Sequence, residues 1–314
     1  MTGWTALMRS LFSRSMDLLG PSDGRCLVCG ERLRGHSPRS PEELRLVSRL
    51  CAGCQACIPW IRNPACPCCG RPVFCPDCVR QPVRAFEMNR SAVRYSGEMK
   101  KWLALYKFRG DERYGELLAD MLMPAYERLT AEAAAGFNPE AGLASIAAWM
   151  EGVKRNEIPR PSLMPETDRQ TGLSVRGGFR RRIWHAVTYV PASRERAEER
   201  GFNQVERLAR SAAMRANAPL LPLIRRLRDS GKQSQRRRAE RLKAMRAIFG
   251  PDEAGLRRLA ELAFRAGHPP GEPLRVLLVD DIYTTGSTAE ACAEAIRAAA
   301  PCPVRVYVLT WARS

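Results

Sequence analysis

The sequence predicts an α/β protein, a parallel sheet flanked by helices, preceded by a cysteine-rich metal-binding module. Three observations carry that prediction. The stretch Val276 to Val279 is a short apolar run of the kind that forms a strand buried on both faces, and it ends in two carboxylates, Asp280 and Asp281. A loop of small hydroxyl residues around one glycine, Thr284, Thr285, Gly286, Ser287 and Thr288, then leads into an alanine-rich helical segment, Ala289 to Ala300. Upstream, ten of the twelve cysteines fall between Cys26 and Cys78, mostly in C-x-x-C pairs.

Taken in order, residues 1–22 place Trp4, Leu7, Met8, Leu11, Phe12, Met16 and Leu19 at near-helical spacing, which predicts an amphipathic helix. It is expected to pack against the protein's own core, with a membrane surface or a partner as the alternative. Arg9 and Arg14 interrupt any secretory h-region, and no stretch approaches the length of a transmembrane span. Without a secretory signal the cysteines read as metal ligands rather than disulfides. The expected location is the cytoplasm, with a peripheral position on the inner face of the membrane as the alternative set by that helix.

Residues 23–84 form the metal module. Cys26-x-x-Cys29 is followed after 21 residues by Cys51-x-x-Cys54, and Cys66-x-x-Cys69 after 5 residues by Cys75-x-x-Cys78. Two facing C-x-x-C knuckles supply four thiolates in a tetrahedron, the preferred shell of a structural zinc ion. Gly30 and Gly70 follow two of the pairs, where the backbone must turn around the metal, and Pro67 and Pro76 stiffen the second group. The segment resembles a double zinc ribbon holding two zinc ions. An Fe–S cluster is the competing four-cysteine reading, and interleaved pairing between the groups stays open. Cys57 and Cys68 are spare thiols beside these pairs; Cys68 lacks the spacing, and both are left out.

Residues 85–314 carry the α/β domain. Met99, Trp102, Leu103, Leu105 and Tyr106 mark an amphipathic helix that ends near Lys107, Arg109 and Gly110-Asp111, and a second helix runs from about Arg113 to Thr130. Lys107 reads either as a phosphate contact or as a partner for its helix's C-terminal dipole. Residues 136–180 are proline-rich and polar, and read as a surface insertion. His185 to Val190 is the next strand. After it, Arg200-Gly201-Phe202-Asn203-Gln204 stands at the entry to a helix running to about Asn217. An arginine and a glycine on a loop after a parallel strand suit a pyrophosphate; a helix cap by Asn203 is the plainer alternative.

Leu223 to Phe249 is basic, with Gln233, Gln235, Arg241 and a hinge at Gly231. It reads as a mobile flap, a charged surface hairpin or a strip contacting nucleic-acid backbone. A polar connection at Gly267 to Pro273 leads to the motif, its helix and a last strand, Val304 to Leu309. The formal charge is +18, and Arg176 to Arg246 alone holds 20 Lys and Arg against 6 Asp and Glu, which points to phosphorylated or nucleic-acid partners.

A loop at a helix N-terminus can turn backbone N–H groups, hydroxyls and the positive end of the helix dipole onto one phosphate. Four apolar residues, two acids, two variable residues and Thr-Thr-Gly-x-Thr resemble the PRPP-binding motif of the type I phosphoribosyltransferases. That resemblance implies phosphate at Thr284 to Thr288, ribose hydroxyls at Asp280 and Asp281, pyrophosphate near Arg200 and Gly201, and Mg²⁺ bound with PRPP. The order of the parts, from double C-x-x-C module through Tyr106-Lys107-Phe108 and Arg200-Gly201-Phe202-Asn203-Gln204 to the acidic motif, resembles the ComF family of competence proteins. It implies a role in natural transformation and DNA uptake, with single-stranded DNA and a competence helicase as partners. Residues 136–180 and 255–272 depart from the compact family pattern. Phosphoribosyl transfer is the reaction such a pocket would support, with Asp280 and Asp281 as the catalytic pair. A non-catalytic single-stranded-DNA adaptor with a vestigial pocket and a metabolic phosphoribosyltransferase are the alternatives.

Overall fold

The computed structural model describes residues 24–33, 48–73, 75–80, 83–109, 112–136, 138, 144, 147, 183–193, 203–228 and 246–314. The N-terminal helix, the 136–180 insertion apart from four of its residues, Arg200 and Gly201, and the segment holding Gln233, Gln235 and Arg241 lie outside them. Described elements are, in order, α1 (Ala52–Ala56), α2 (Pro76–Arg80), β1 (Asn89–Arg94), α3 (Gly97–Arg109), α4 (Glu112–Ala134), β2 (Ala186–Tyr189), α5 (Gln204–Ala216), β3 (Ile224–Arg226), β4 (Phe249–Pro251), α6 (Glu253–Arg265), β5 (Leu274–Tyr283), α7 (Ser287–Ala299) and β6 (Val304–Arg313).

The expected α/β architecture is present. Four strands lie in the order β1-β6-β5-β2, and every neighbouring pair is parallel. Because side chains alternate along a strand, β5 and β6 send Leu277, Val279, Tyr307, Leu309 and Trp311 to a core shared with α3, α4 and α5. Val276, Leu278, Val306 and Val308 face a second core, shared with α6, α7 and the β3–β4 ribbon. A sheet covered on both faces needs apolar residues at consecutive positions, which is why the central strands read as unbroken hydrophobic runs.

Caps fix the helices locally. The Asn203 side chain accepts from Val205 N at 3.1 Å and starts α5, so the plainer reading of that asparagine holds. Asp252 Oδ1 accepts from Gly255 N at 2.8 Å and starts α6. That helix occupies residues read in sequence as a connection; its Leu256 and Leu259 are buried against the second core. β5 runs through both acids instead of stopping at Val279, and β6 continues to Arg313, four residues past the expected Leu309. Among the described residues, no helix is long and apolar enough to cross a membrane.

Candidate functional site

The cysteines gather as their spacing predicts. Cys26, Cys29, Cys51 and Cys54 form one group and Cys66, Cys69, Cys75 and Cys78 another, with the sulfur atoms of each within 4.8 Å of one another. Tetrahedral zinc with bonds near 2.3 Å sets sulfurs about 3.8 Å apart. The Cys29–Cys51 and Cys69–Cys75 sulfur pairs, each at 3.6 Å, match that spacing. Pairing is therefore sequential, not interleaved, and Cys57 and Cys68 belong to neither group. The donor set fits two zinc ions, each with a closed shell and no position for substrate.

The groups differ in setting. In the first, Cys29 is exposed and Cys51 and Cys54 half-buried, whereas all four cysteines of the second are buried. Gly70, at φ +68°, lets the second knuckle turn, and a Cβ there would lie 2.5 Å from the Asn89 carbonyl oxygen. Hydrogen bonding with Cys66 draws the Cys69 and Cys75 thiols down to about 6, toward the thiolate a metal requires. Arg71 and Arg84 donate to Cys75 and Cys78 at 3.9 and 3.8 Å, and Arg313 to Cys69 at 3.6 Å. Four thiolates around Zn²⁺ leave excess negative charge, which these guanidinium groups offset.

The acids stand at the C-terminal end of a central strand, where parallel α/β sheets bind ligands. Asp280 is paired in register with Thr310 of β6. Its Oδ1 accepts from Asp281 N at 2.8 Å, and the group is half-buried. Burial first, and then the neighbouring Asp281 charge, raise the Asp280 carboxyl well above the ordinary carboxylate range, against an opposing pull from the Asp281 N–H and Lys107.

Asp281 forms an ion pair with Lys107 Nζ of α3. The lysine thus meets a carboxylate, which neither sequence reading of it anticipated. Its position is fixed from behind: Gln204 Nε2 donates to Lys107 O at 3.1 Å, and Tyr106 hydroxyl donates to Gln204 O at 3.2 Å. Tyr95, at the end of β1, also lies within the field of Asp281; burial and then that charge raise its phenol above its ordinary value. Nothing in its sequence neighbourhood marks Tyr95, because only the β1–β6–β5 order brings it near.

Beyond the acids the chain turns through Thr284 and Thr285 to Gly286, whose φ is +81°. A Cβ there would overlap the Tyr283 hydroxyl, so glycine is required on both counts. Gly286 is the N-cap of α7, and no side chain caps the helix. The positive end of this 13-residue helix stands beside Ser287 and Thr285, whose hydroxyls lie 2.9 Å apart. Thr284 is exposed and Thr288 half-buried.

This loop is tied to the second cysteine group. Arg313, buried at 5% exposure, donates through Nη1 to Thr284 O at 2.7 Å and to Tyr283 O at 3.2 Å. Its guanidinium carbon lies 4.6 Å from the Tyr283 ring centroid while Nη2 reaches Cys69. On the other flank Glu290 of α7 accepts from Ala85 N at 2.8 Å, and Phe86 meets Tyr283 edge-on at 6.3 Å. Arg313 was missed in sequence because it lies 25 residues beyond the motif, in the adjoining strand.

No family model matches the chain. It is 25% identical over 273 residues to the competence protein ComFC of Bacillus subtilis (strain 168), covering 84% of each protein. It is 23% identical over 293 residues to the competence protein ComFC of Streptococcus pneumoniae (strain ATCC BAA-255 / R6), covering 91% of this chain and 99% of that one. The two similarities, each over most of the chain, support a ComF-family competence protein.

Proposed function

We propose that the chain acts in natural transformation and DNA uptake by binding PRPP or a related sugar phosphate together with Mg²⁺. The observation that carries this reading is the pair Asp280-Asp281 at the end of a central parallel strand, directly before a glycine turn that opens a helix N-terminus. The sugar phosphate lies against Thr284, Thr285, Gly286, Ser287 and Thr288, and the ribose hydroxyls lie against the acids. Arg200, Gly201 and Lys107 take the pyrophosphate end. The hard carboxylate oxygens suit Mg²⁺, which when bound takes up charge on the departing pyrophosphate.

In transfer, the bond from the sugar's anomeric carbon to pyrophosphate breaks with its electron pair on the leaving oxygen. The acceptor's lone pair forms the new bond at that carbon, and the two carboxylates stabilise the positive charge that builds on the ring between these events. Single-stranded DNA is the partner in this reading, handled on the cytoplasmic side with a competence helicase. The names of both relatives support the competence assignment.

A second reading, a non-catalytic single-stranded-DNA adaptor, draws on the Lys107–Asp281 ion pair, which neutralises one of the two acids. Calorimetric titration of PRPP with Mg²⁺ into the zinc-loaded protein and into Asp280→Ala/Asp281→Ala separates the two. Binding that disappears in the variant is expected; absence of binding in both folded proteins would favour the adaptor.

A further inference from the structure

The opposite end of the sheet carries a feature that the sugar-phosphate reading does not use. A cavity of about 1310 Å³ opens at the N-terminal ends of β2, β5 and β6, between the C-terminal turns of α5 and α6. Arg275 on β5 precedes Asp281 by six residues, which places this cavity about 20 Å along the strand from the acids. Four arginines, Arg210, Arg265, Arg275 and Arg305, line it, with His185 and His268 stacked edge-to-face at 4.5 Å. Among the described residues, the one lining carboxylate is Glu272.

Not all of this charge needs a ligand. Arg210 is paired with Glu206 at 2.8 Å, and Arg265 lies in the last turn of α6, where the helix dipole favours a cation. Arg275 and Arg305 have no such account. They are direct register partners on adjacent parallel strands, so both point to the same face with two positive charges side by side. Among the described residues neither forms an ion pair; Arg305 hydrogen-bonds Tyr307, and the Arg275 backbone N–H donates to His185 Nδ1 at 2.9 Å. With Nδ1 occupied as an acceptor, the neutral His185 ring carries its proton on Nε2. Like charges directly opposite destabilise a sheet unless an anion lies between them. Apart from Asn217, the remaining described walls, including Ala213, Leu220, Leu262 and Pro273, are apolar.

We propose that this cavity is a second anion site, taking a ligand that bears at least two phosphates, bridged by Arg275 and Arg305, with an apolar moiety against the helix walls. The shared chemistry is phosphate linked to a base and sugar, from a nucleic-acid strand or a free nucleoside triphosphate.

The test uses the full-length zinc-loaded protein, Arg275→Gln/Arg305→Gln and Arg275→Lys/Arg305→Lys, probed with a fluorescent 20-mer of deoxythymidine and with adenosine triphosphate. Wild type is expected to bind at least one probe, and the Gln variant to bind it at least tenfold more weakly, with the Lys variant recovering most of the loss. If the strand is the source, two lost contacts should lower the slope of log affinity against log salt by about 1.4. If the triphosphate is the source, only that arm changes. PRPP titration should be the same in all three proteins, which separates failure here from failure of the site at Asp280 and Asp281. Without ligand the Gln variant should melt no lower than wild type, since it loses a repulsion. The proposal is overturned if wild type binds neither probe, if the Gln variant binds both as tightly as wild type, or if that variant melts well below it.

Discussion

Replacing Arg313 with methionine tests whether the phosphate loop is held from the metal side. The substitution roughly conserves volume, so the loss should come from polar contacts more than from a cavity. Two charge-assisted bonds are lost: Thr284 O loses its guanidinium donor, and Tyr283 O keeps only the Ser314 N–H, which donates to it at 3.0 Å. At about 1.5 kcal/mol for each charge-assisted bond, that is about 3 kcal/mol. Stacking on Tyr283 adds about 1 kcal/mol, giving a total near ~4 kcal/mol. Urea unfolding of the zinc-loaded proteins measures the loss, and zinc content and PRPP affinity are read on the same samples. Stability should fall by about that amount and PRPP binding should weaken at least tenfold, while both zinc ions are retained. Arg313→Lys, which keeps a charge but loses the fork, should recover only part. A loss below about 1 kcal/mol with unchanged PRPP affinity would refute the reasoning, because two charge-assisted bonds would then have been removed at almost no cost.

Three further outcomes are expected. Gly286→Ala should destabilise the protein by about 1–3 kcal/mol in urea, through its left-handed backbone and the overlap with Tyr283, and should abolish calorimetric PRPP binding. Zinc content should be two ions per chain, and a chelator should release them in two phases, the exposed Cys26–Cys54 group first and the buried Cys66–Cys78 group later, followed by a colorimetric zinc indicator. Single-phase release would count against the difference in burial. Asp280 has its carboxyl raised on folding, so the folded state favours the protonated form, and its contribution falls as pH rises from the unfolded value near 3.8 through the folded one. Asp280→Asn should therefore be more stable than wild type at pH 7, with the gap closing on acidification toward pH 4; a gap that widens would reverse the sign.

Much of this was legible in the sequence because it depends on short-range pattern. C-x-x-C spacing fixes which sulfurs can share a metal, and an apolar run followed by Asp280-Asp281 and Thr284 to Thr288 fixes a strand, a turn and a helix within a few residues. Segments whose stability comes from burial were less readable. α6 lacks a strong boundary except Asp252, and its Leu256 and Leu259 make sense only against α7 and the second core. The contacts that complete the candidate site were not readable, because Tyr95, Lys107 and Arg313 approach it from three separate elements. Lys107 illustrates the limit. Its position at a helix end was visible, but its carboxylate partner stands 174 residues away.

The strand order has a consequence for how the chain comes to be folded. β1 is an edge strand whose sole sheet neighbour is β6, and the Ser91–Thr310 hydrogen bond closes a span of 219 residues. Both central strands are thus synthesised after both edge strands. At about 5–20 residues per second, β1 leaves the ribosome roughly 10 to 40 s before the strand it must pair with. During that wait its five residues that end up buried can bond only to the cysteine module, through Trp60 and its neighbours. What can form early is local: the first zinc knuckles, then α3 against α4. Sheet formation is accordingly a late, long-range event with a large loop-closure cost, and until it occurs the nascent chain carries β1 without its parallel neighbour.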